Sequence, residues 1–522
     1  MTDQARTTDS SVNGQAPAPF TSQTIVSRSP ATGEVLGQVA VATPSQIQAT
    51  MAEARLGQVA WEGIGLQRRV AFIAALRDAL YRHKDRVLSM LVAEQGKVLQ
   101  EATLEYLATI ETLDYYVREA ARVLSPVVVP VRLVPQRRFM IERRPFGVVL
   151  LISVWNYPLF FSLGPIAAAL IAGNSLLFKP SEFATQVGEV IAGLIDEAGI
   201  PGEVFHVLHG YGEVGAALID ARPDRIVFTG SVANGKKVAQ AAAEKLIPVT
   251  LELGGKDAAI VLDDADIDHA AEGIVWSGMF NAGQTCASVE RVFVQRRVAE
   301  QLVTAMKRVI VDHVQGSDGA AGQALAAITT PAQLATVDSQ VREAIEGGAQ
   351  VVVGGYRLNG GGMFYAPTIL TGVTPDMRIC REETFGPVIA VTAVEDEEEA
   401  VRRANDSPFG LTASVWTRDR QRGLRLARRL AVGSVSINEH LLVSGVPETP
   451  WGGVRESGYG RTKGREGLLE MTYSQTINVD RVRLPVELFW YPYNPLKRAL
   501  FHRAIDVLYG PTLRDKLRAL LP

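Results

Sequence analysis

A thiol, a carboxylate and an amide stand at three points of the chain where the local pattern leaves each open to a reactant. Asn281-Ala282-Gly283-Gln284-Thr285-Cys286-Ala287 sets Cys286 in a loop of small residues after an apolar helical stretch. A glycine-flanked thiol is sterically accessible, and a nearby cation or helix end would convert it to the nucleophilic thiolate. An isolated free cysteine is more often inert core, so the assignment depends on its company. Leu251-Glu252-Leu253-Gly254-Gly255-Lys256 ends an apolar strand on a carboxylate, just before glycines that let backbone or ligand approach. Apolar surroundings would raise the pKa of Glu252 and suit it to general-base work. Taken alone, it reads more readily as a solvated strand end. Val154-Trp155-Asn156-Tyr157-Pro158 puts an amide donor at the carboxyl end of another strand, where Asn156 would stabilise an oxyanion or simply begin a turn.

Two glycine turns compete for a dinucleotide. Gly210-Tyr211-Gly212-Glu213-Val214-Gly215 fits G-x-G-x-x-G between a predicted strand and a predicted helix. The following strand ends in Phe228-Thr229-Gly230-Ser231, and Gly235 comes shortly after, opening a second helix. Either helix N-terminus, with unpaired amides and a positive dipole end, would hold pyrophosphate, and spacing does not choose between them. Lys179-Pro180-Ser181-Glu182 ends a buried strand with a cation and a carboxylate that would face ribose hydroxyls. Glu182 would accept from a 2′-OH and repel a 2′-phosphate. The competing reading of this tetrapeptide is a Ser-Glu helix cap after proline.

These groups need a scaffold, and the chain is long enough for two or three domains: 522 residues, 47% of them hydrophobic. The formal net charge of −3 gives no basic field for nucleic acid, and two cysteines argue against a disulfide framework or a structural zinc site. No metal site is expected. The polar N-terminus lacks a secretory signal, which suits a reducing cytoplasm, and residues 1–22 read as disordered. Phe146 to Phe178 carries no Asp, Glu, Lys, Arg or His and is long enough to cross a bilayer, yet Asn156, Pro158, Pro165 and Gly173-Asn174 punctuate it as a buried βαβ unit. Helical spacing runs from Pro44 to Leu124, and residues 126–144 read as a two-stranded arm. Strand and helix patterns then alternate to about Ile437. The expected class is α/β: a doubly wound parallel-sheet cofactor domain (23–125 and 145–252), a second α/β catalytic domain (253–437) and a small β arm (126–144 and 470–482). A basic amphipathic tail, 483–522, follows.

Asn156, Lys179 to Glu182, Gly230-Ser231, Leu251 to Lys256, Gly283 to Cys286 and Glu382-Glu383-Thr384-Phe385-Gly386-Pro387, in this order and spacing, resemble the aldehyde dehydrogenase superfamily. The resemblance implies that Cys286 attacks an aldehyde carbon, that the Asn156 amide and the Cys286 N–H hold the oxyanion, and that Glu252 activates the water that hydrolyses the thioester. It implies NAD as cofactor, with NADP possible, bound by Trp155, Lys179, Ser181, Glu182, Gly230, Ser231, Gly235, Leu253, Glu383 and Phe385. It assigns pyrophosphate to the helix opened by Gly230 to Gly235, leaving Gly210-x-Gly212 as a connecting turn. It also implies a homo-oligomer, dimer or tetramer, built through the arm. Two departures stand out. The loop from Asn156 to Pro165 is short and similar to the fatty-aldehyde group, with Phe160, Phe161 and Leu163 where others carry a lysine. Thr462 stands where other members have a glutamate, so a proton leaving Glu252 is expected to use water or backbone.

Tyr157, Leu159, Phe160, Phe161, Trp276, Met279 and Phe280 lie close in sequence to the proposed centre and include no cation. They point to a medium- or long-chain, aromatic or terpenoid aldehyde, and the Thr285 to Arg291 stretch and aromatic tail are similar to bacterial carotenoid-dialdehyde dehydrogenases. The tail (Leu496, Leu500, Val507 and Leu508 with Lys497, Arg498, Arg503, Arg514, Lys516 and Arg518) would lie on an anionic membrane or pack on a neighbouring subunit. Two other functions compete: a coenzyme-A-acylating dehydrogenase, against which Glu252 speaks, and a non-catalytic binding protein, against which the set Cys286, Glu252 and Asn156 speaks.

Overall fold

The computed structural model describes residues 24–314, 325–358, 362–483, 485 and 487–520; the expectation for residues 1–22 falls outside them. A hairpin of β1 (Thr24–Arg28) and β2 (Val35–Ala40) leads into four helices, α1 (Pro44–Gly63), α2 (Leu66–Arg82), α3 (Lys84–Gln95) and α4 (Leu99–Leu124). Next come β3 (Val127–Val129) and β4 (Arg137–Pro145). The uncharged stretch resolves into β5 (Val148–Ile152), α5 (Phe160–Ala172) and β6 (Ser175–Lys179), with the two strands parallel and Ile152 opposite Lys179. Gly173, left-handed at φ 100°, ends the helix. No helix among the described residues is long and apolar enough to cross a membrane.

The first sheet continues through α6 (Thr185–Glu197), β7 (Phe205–Val207), α7 (Gly212–Asp220), β8 (Arg225–Thr229), α8 (Val232–Ala243) and β9 (Val249–Glu252). Strands β9, β8, β5, β6 and β7 lie parallel in that order. Alternate residues explain the double winding. Val149, Leu151, Leu176 and Phe178 pack with α2 to α6, whereas Val148, Leu150, Ile152 and Leu177 pack with α1, α7 and α8. A strand buried on both faces must be apolar at every position, as the continuous Val-Val-Leu-Leu-Ile run of β5 is. Chain order reverses direction at β5, since β6 and β7 lie on one side and β8 and β9 on the other, and ligands of such sheets bind beyond the carboxyl ends at that point.

A second sheet holds β10 (Asp257–Val261), β11 (Val289–Gln295), β12 (Gln350–Val353), β13 (Thr368–Thr371), β14 (Val388–Val394), β15 (Thr412–Trp416) and β16 (Ser434–Ile437), ordered β12-β13-β14-β11-β10-β15-β16. Helix α9 (Ile267–Met279) connects β10 to β11 and delivers the cysteine loop. One element was not foreseen: β17 (Gly458–Tyr459) returns to the first sheet and pairs antiparallel with β9, Gly458 facing Glu252. Both of these sheets and their helices lie in one compact unit comprising residues 24–125 and Arg143–Ser474.

The other unit comprises Pro126–Glu142 and Gln475–Pro522. Strand β18 (Thr472–Asp480), β4 and β3 form a three-stranded sheet in that order. In the tail the helices Pro495–Tyr509 and Leu513–Leu520 leave Trp490, Tyr491, Tyr493 and Leu496 exposed. Lys497 departs from the basic-face expectation: it is buried, with Nζ donating to the Glu487 and Trp490 carbonyls at 3.0 and 2.8 Å.

Gly283 shows how closely the loops at the sheet edges approach. Its φ is 69°, and a Cβ there would lie 2.0 Å from the Gly386 carbonyl oxygen. Gly283→Ala is therefore expected to destabilise the protein by about 2 kcal/mol or more, read as a lowered midpoint in thermal denaturation.

Candidate active site

The cysteine loop begins where α9 stops. Asn281, Ala282 and Gly283 are successively left-handed, at φ 54°, 53° and 69°, a conformation that costs L-residues about 1–2 kcal/mol each. Side chains over-determine it. Gln284 donates from Nε2 to the Asn281 and Ala327 carbonyls, both at 2.9 Å, and accepts from Thr329 N at 2.8 Å. Asn281 N donates to Glu101 Oε1 at 2.9 Å. At roughly 1 kcal/mol per buried hydrogen bond, these contacts offset the strain. The turn brings half-buried Cys286 to the wall of a cavity. Burial, and then the carboxylates of Glu252, Asp257 and Glu383, push its thiol up, so at neutral pH it carries its proton.

Asn156 follows β5 and is tied to the same loop. Its Nδ2 donates to the Gln284 carbonyl at 3.0 Å, and Asn281 Nδ2 donates to the Asn156 carbonyl at 3.2 Å. One Nδ2 hydrogen is thus committed, and the amide retains a second donor. Glu252 closes β9 and is buried, with no hydrogen-bond partner for Oε1 among the described residues. Burial pushes its carboxyl up to about 8, opposed by the positive charges of Arg461 and Lys463. Gly452 makes room, since a Cβ there would lie 2.9 Å from Glu252 Oε1 and 3.0 Å from Arg461 Nη1.

Lys463 had no place in the reading from sequence. It is buried, its Nζ donates to the Val446 carbonyl at 3.3 Å and to the Ser444 carbonyl, and burial lowers its pKa to about 7 against the charges of Glu252 and Cys286. A titratable side chain therefore stands in the field of Glu252. The reading from sequence named only water and backbone for the proton of Glu252, and Lys463 is a further titratable group in its field. A buried lysine one residue after Arg461-Thr462 gives no periodic signal; it is found through the pairing of β17 with β9.

The residues read as cofactor ligands fall into three groups. Lys179 is buried at the carboxyl end of β6, donates to the Pro180 carbonyl at 3.3 Å, and lies in the fields of Glu182 and Glu213, burial lowering its pKa. Glu213 belongs to the first glycine turn, which thereby contributes charge to this corner. Ser181 Oγ accepts from Phe183 N at 3.3 Å in a local turn and does not cap α6, whose N-cap is Ala184 with no side-chain cap hydrogen bond, so the competing helix-cap reading is not what this serine does. At the second turn Ser231 caps α8 by accepting from Asn234 N, Gly230 N donates to the Glu252 carbonyl at 3.0 Å, and Gly235 packs under Leu253 so closely that a Cβ would lie 2.5 Å from Leu253 Cδ2. The third group is the 383–386 loop. Gly255 N donates to Glu383 Oε1 at 3.0 Å, and a Cβ on Gly254 would lie 2.3 Å from Glu383 Oε2. Burial and the charge of Glu290 raise Glu383 to about 8. Glu290, ion-paired with buried Lys256, accepts from the Thr384 and Phe385 amides. Phe385 meets Trp155 edge-on, with ring centroids 5.5 Å apart. A buried ammonium with donors to spare, a capped helix start and a recessed carboxylate, all near the carboxyl edge of the first sheet, fit a dinucleotide.

The cavity has a volume of about 450 Å³. Tyr157, Phe160, Phe161, Trp276 and Phe280 line it, whereas Leu159 and Met279, expected there from sequence, point into the cores on either side. Leu104, Leu107 and Ala108 of α4 and the 441–447 segment complete the wall, positions that no local pattern links to Cys286. Its charged lining residues are carboxylates, Glu105, Glu111 and Glu448; no lysine or arginine is found among the described residues lining it. No cluster of residues suited to a metal ion occurs among the described residues.

Known proteins share this arrangement. The model of the aldehyde dehydrogenase family matches residues 19–477. A 4,4′-diapolycopene aldehyde oxidase of Methylomonas is 37% identical over 494 residues, covering 93% of this chain and 92% of its own. A Mycolicibacterium smegmatis chain provisionally named succinate-semialdehyde dehydrogenase (NADP+) is 35% identical over 453 residues, covering 86% of this chain and 88% of its own. Among solved structures, the NAD-dependent aldehyde dehydrogenase from Sinorhizobium meliloti superposes with a TM-score of 0.85 at 34% identity, covering 90% of this chain and 93% of that one. Lactaldehyde dehydrogenase from Escherichia coli gives 0.83 at 32% identity, covering 88% and 96%. With the family model spanning both sheets, the cysteine loop and the carboxyl edge they share, this chain belongs to the aldehyde dehydrogenase family.

Proposed function

We propose that the protein oxidises an apolar medium- or long-chain, aromatic or terpenoid aldehyde to the carboxylic acid with NAD(P), through a thioester on Cys286 released by Glu252. The observation that carries this reading is that Cys286 opens onto a wall of aromatic and aliphatic side chains whose charged members are acidic. An apolar aldehyde gains by desolvation there, at about 25 cal/mol per Å² buried, and a carboxylated one would meet repulsion. The two named relatives differ in this respect, one being named for a carotenoid aldehyde and the other for a semialdehyde. The lining favours the first kind of substrate.

In this mechanism ionised Glu252 takes the thiol proton as Sγ bonds to the aldehyde carbon. The oxygen of the resulting thiohemiacetal accepts hydrogen bonds from the Asn156 amide and the Cys286 N–H. NAD(P), when bound, would supply the acceptor for the hydride on this carbon, and loss of that hydride with its two electrons leaves a thioester on Cys286. Once the thiol proton has passed from Glu252 to solvent, the carboxylate removes a proton from water as the water oxygen attacks the thioester carbon. The C–S bond breaks, the acid leaves, and the sulfur is ready for another turnover. Lys463 lies in the field of Glu252 with its own pKa near that of the carboxyl, which suits it to exchange the proton onward. The arm of β3, β4 and β18 is our candidate for the contact between subunits.

NADH formation across aldehydes graded by length and charge tests the substrate class; faster turnover of succinate semialdehyde than of a long apolar aldehyde would overturn it. Cys286→Ala is expected to lose turnover and keep cofactor binding, and Glu252→Gln to slow the NADH burst, because the thiol keeps its proton, and to lose steady turnover. Product formation that requires coenzyme A would favour the acylating alternative.

Glu252 works as a base only when ionised. Because burial raises its pKa to about 8, kcat limited by deacylation should climb with pH below about 8, roughly tenfold per unit at the low end, and level off above. A pH profile of kcat reads this limb. Glu182 and Glu213 both place negative charge beside Lys179, against a 2′-phosphate. Glu182→Ala and Glu213→Ala should each lower the KM for NADP by about fivefold, roughly 1 kcal/mol, relative to that for NAD.

A further inference from the structure

Beneath the two loops that carry Asn156 and Cys286 lies an ionic cluster that the mechanism above does not use. Lys97, just before α4, and Glu101 and Glu105 in its first two turns are spaced four residues apart, and all three are buried. Charged residues this deep are rare unless paired or hydrogen-bonded. Glu105 divides its two oxygens between partners. Oε2 takes Lys97 Nζ at 2.5 Å, and Oε1 accepts from the Leu159 and Phe160 amides at 2.9 and 3.2 Å. Those amides open α5, directly after the Asn156 loop, where a carboxylate also meets the positive end of the helix. Lys97 Nζ lies 3.9 Å from the centre of the Tyr157 ring, and Tyr157 Oη shares a hydrogen bond of 2.6 Å with Thr285 Oγ1. Glu101 Oε1 holds Asn281 N, the first left-handed residue before Cys286, and the Asn281 side chain reaches the Asn156 carbonyl.

We propose that Glu101 and Glu105, the latter paired with Lys97, are positioning residues that hold the two oxyanion donors in register: Glu105 anchors the Asn156 loop, and Glu101 anchors the turn that presents the Cys286 amide. Neither carboxylate touches the reacting atoms. Each fixes a segment that has no sheet or helix partner of its own, and a donor displaced by about 1 Å loses most of its value to an oxyanion. The inference rests on the proposed roles of Asn156 and Cys286. Burial raises Glu101 to about 7, so carboxylate and acid coexist near neutrality, and Oε1 accepts from Asn281 in both. Glutamine, which keeps that acceptor, is therefore the conservative substitute.

The test uses the full-length protein with Glu101→Ala, Glu101→Gln, Asn156→Ala and Cys286→Ala. Four quantities are measured: the pre-steady-state NADH burst, NAD binding, the thermal midpoint, and the rate at which iodoacetamide alkylates Cys286. Alkylation needs an accessible thiol and no oxyanion donor, so it separates positioning from general disruption. Glu101→Ala is expected to slow the burst about 10²-fold, as Asn156→Ala does, with alkylation and NAD binding within about threefold of the parent. Glu101→Gln is expected to restore most of the burst. An unchanged burst in folded Glu101→Ala would overturn the proposal. So would a burst that falls in step with alkylation and NAD binding in both Glu101 variants, since the glutamate would then serve folding alone. If Cys286→Ala keeps its burst, the reading of the active site itself fails, independently of Glu101.

Discussion

The left-handed turn at Asn281–Gly283 is the constraint around which the site is arranged. Two L-residues held at positive φ are unfavourable by roughly 2 kcal/mol or more, and the strain persists because neighbours leave no alternative. Glu101, Gln284 and the Asn156 carbonyl each hold a backbone or side-chain group of the turn, while the Gly386 carbonyl presses against Gly283. The turn redirects the chain between α9 and β11, so that Cys286 faces the cavity instead of continuing a helix into the core. The cofactor side is held by the same logic. Lys256 pairs with Glu290, which grips the Thr384 and Phe385 amides, and Gly255 holds Glu383.

Burial, more than pairing, sets the protonation states. It raises Glu252, Glu383 and the Cys286 thiol and lowers Lys463, each toward its neutral form. Groups held toward their neutral forms by burial give up little solvation when an apolar substrate enters. Burial also lets Glu252 hold or release a proton near neutral pH, which a solvated carboxylate with a pKa near 4 cannot do. Lys463 belongs to the same balance, bound to carbonyls of the cavity wall and in the field of Glu252.

The cavity wall comes from three remote stretches, α4, the residues after β5 and the 441–447 segment, each presenting apolar groups. Helix α4 does double duty. Leu104, Leu107 and Ala108 face the cavity, whereas Glu101 and Glu105 reach under the loops. Changes on this helix would alter the cavity wall and the Asn156 and Cys286 loops by different routes, although their positions are interleaved.

By itself the sequence determined the α/β class, the strands of the first sheet and the family. Strands β5, β6 and β8 are covered on both faces and so appear as unbroken apolar runs, and the motifs around Cys286, Glu252 and Asn156 are local in spacing. Tertiary structure alone decided what depends on contacts between distant segments. Strand β17 has two residues and no pattern of its own; its register comes from β9. Nothing in the segment around Lys97, Glu101 and Glu105 marks them as buried, and only the packing of α5 and the cysteine loop over them makes them interior. Lys463 becomes a neighbour of Glu252, and Leu159 and Met279 turn away from the cavity, for the same reason: a side chain's direction and burial are set by what folds against it, which residue type and spacing along one segment do not encode.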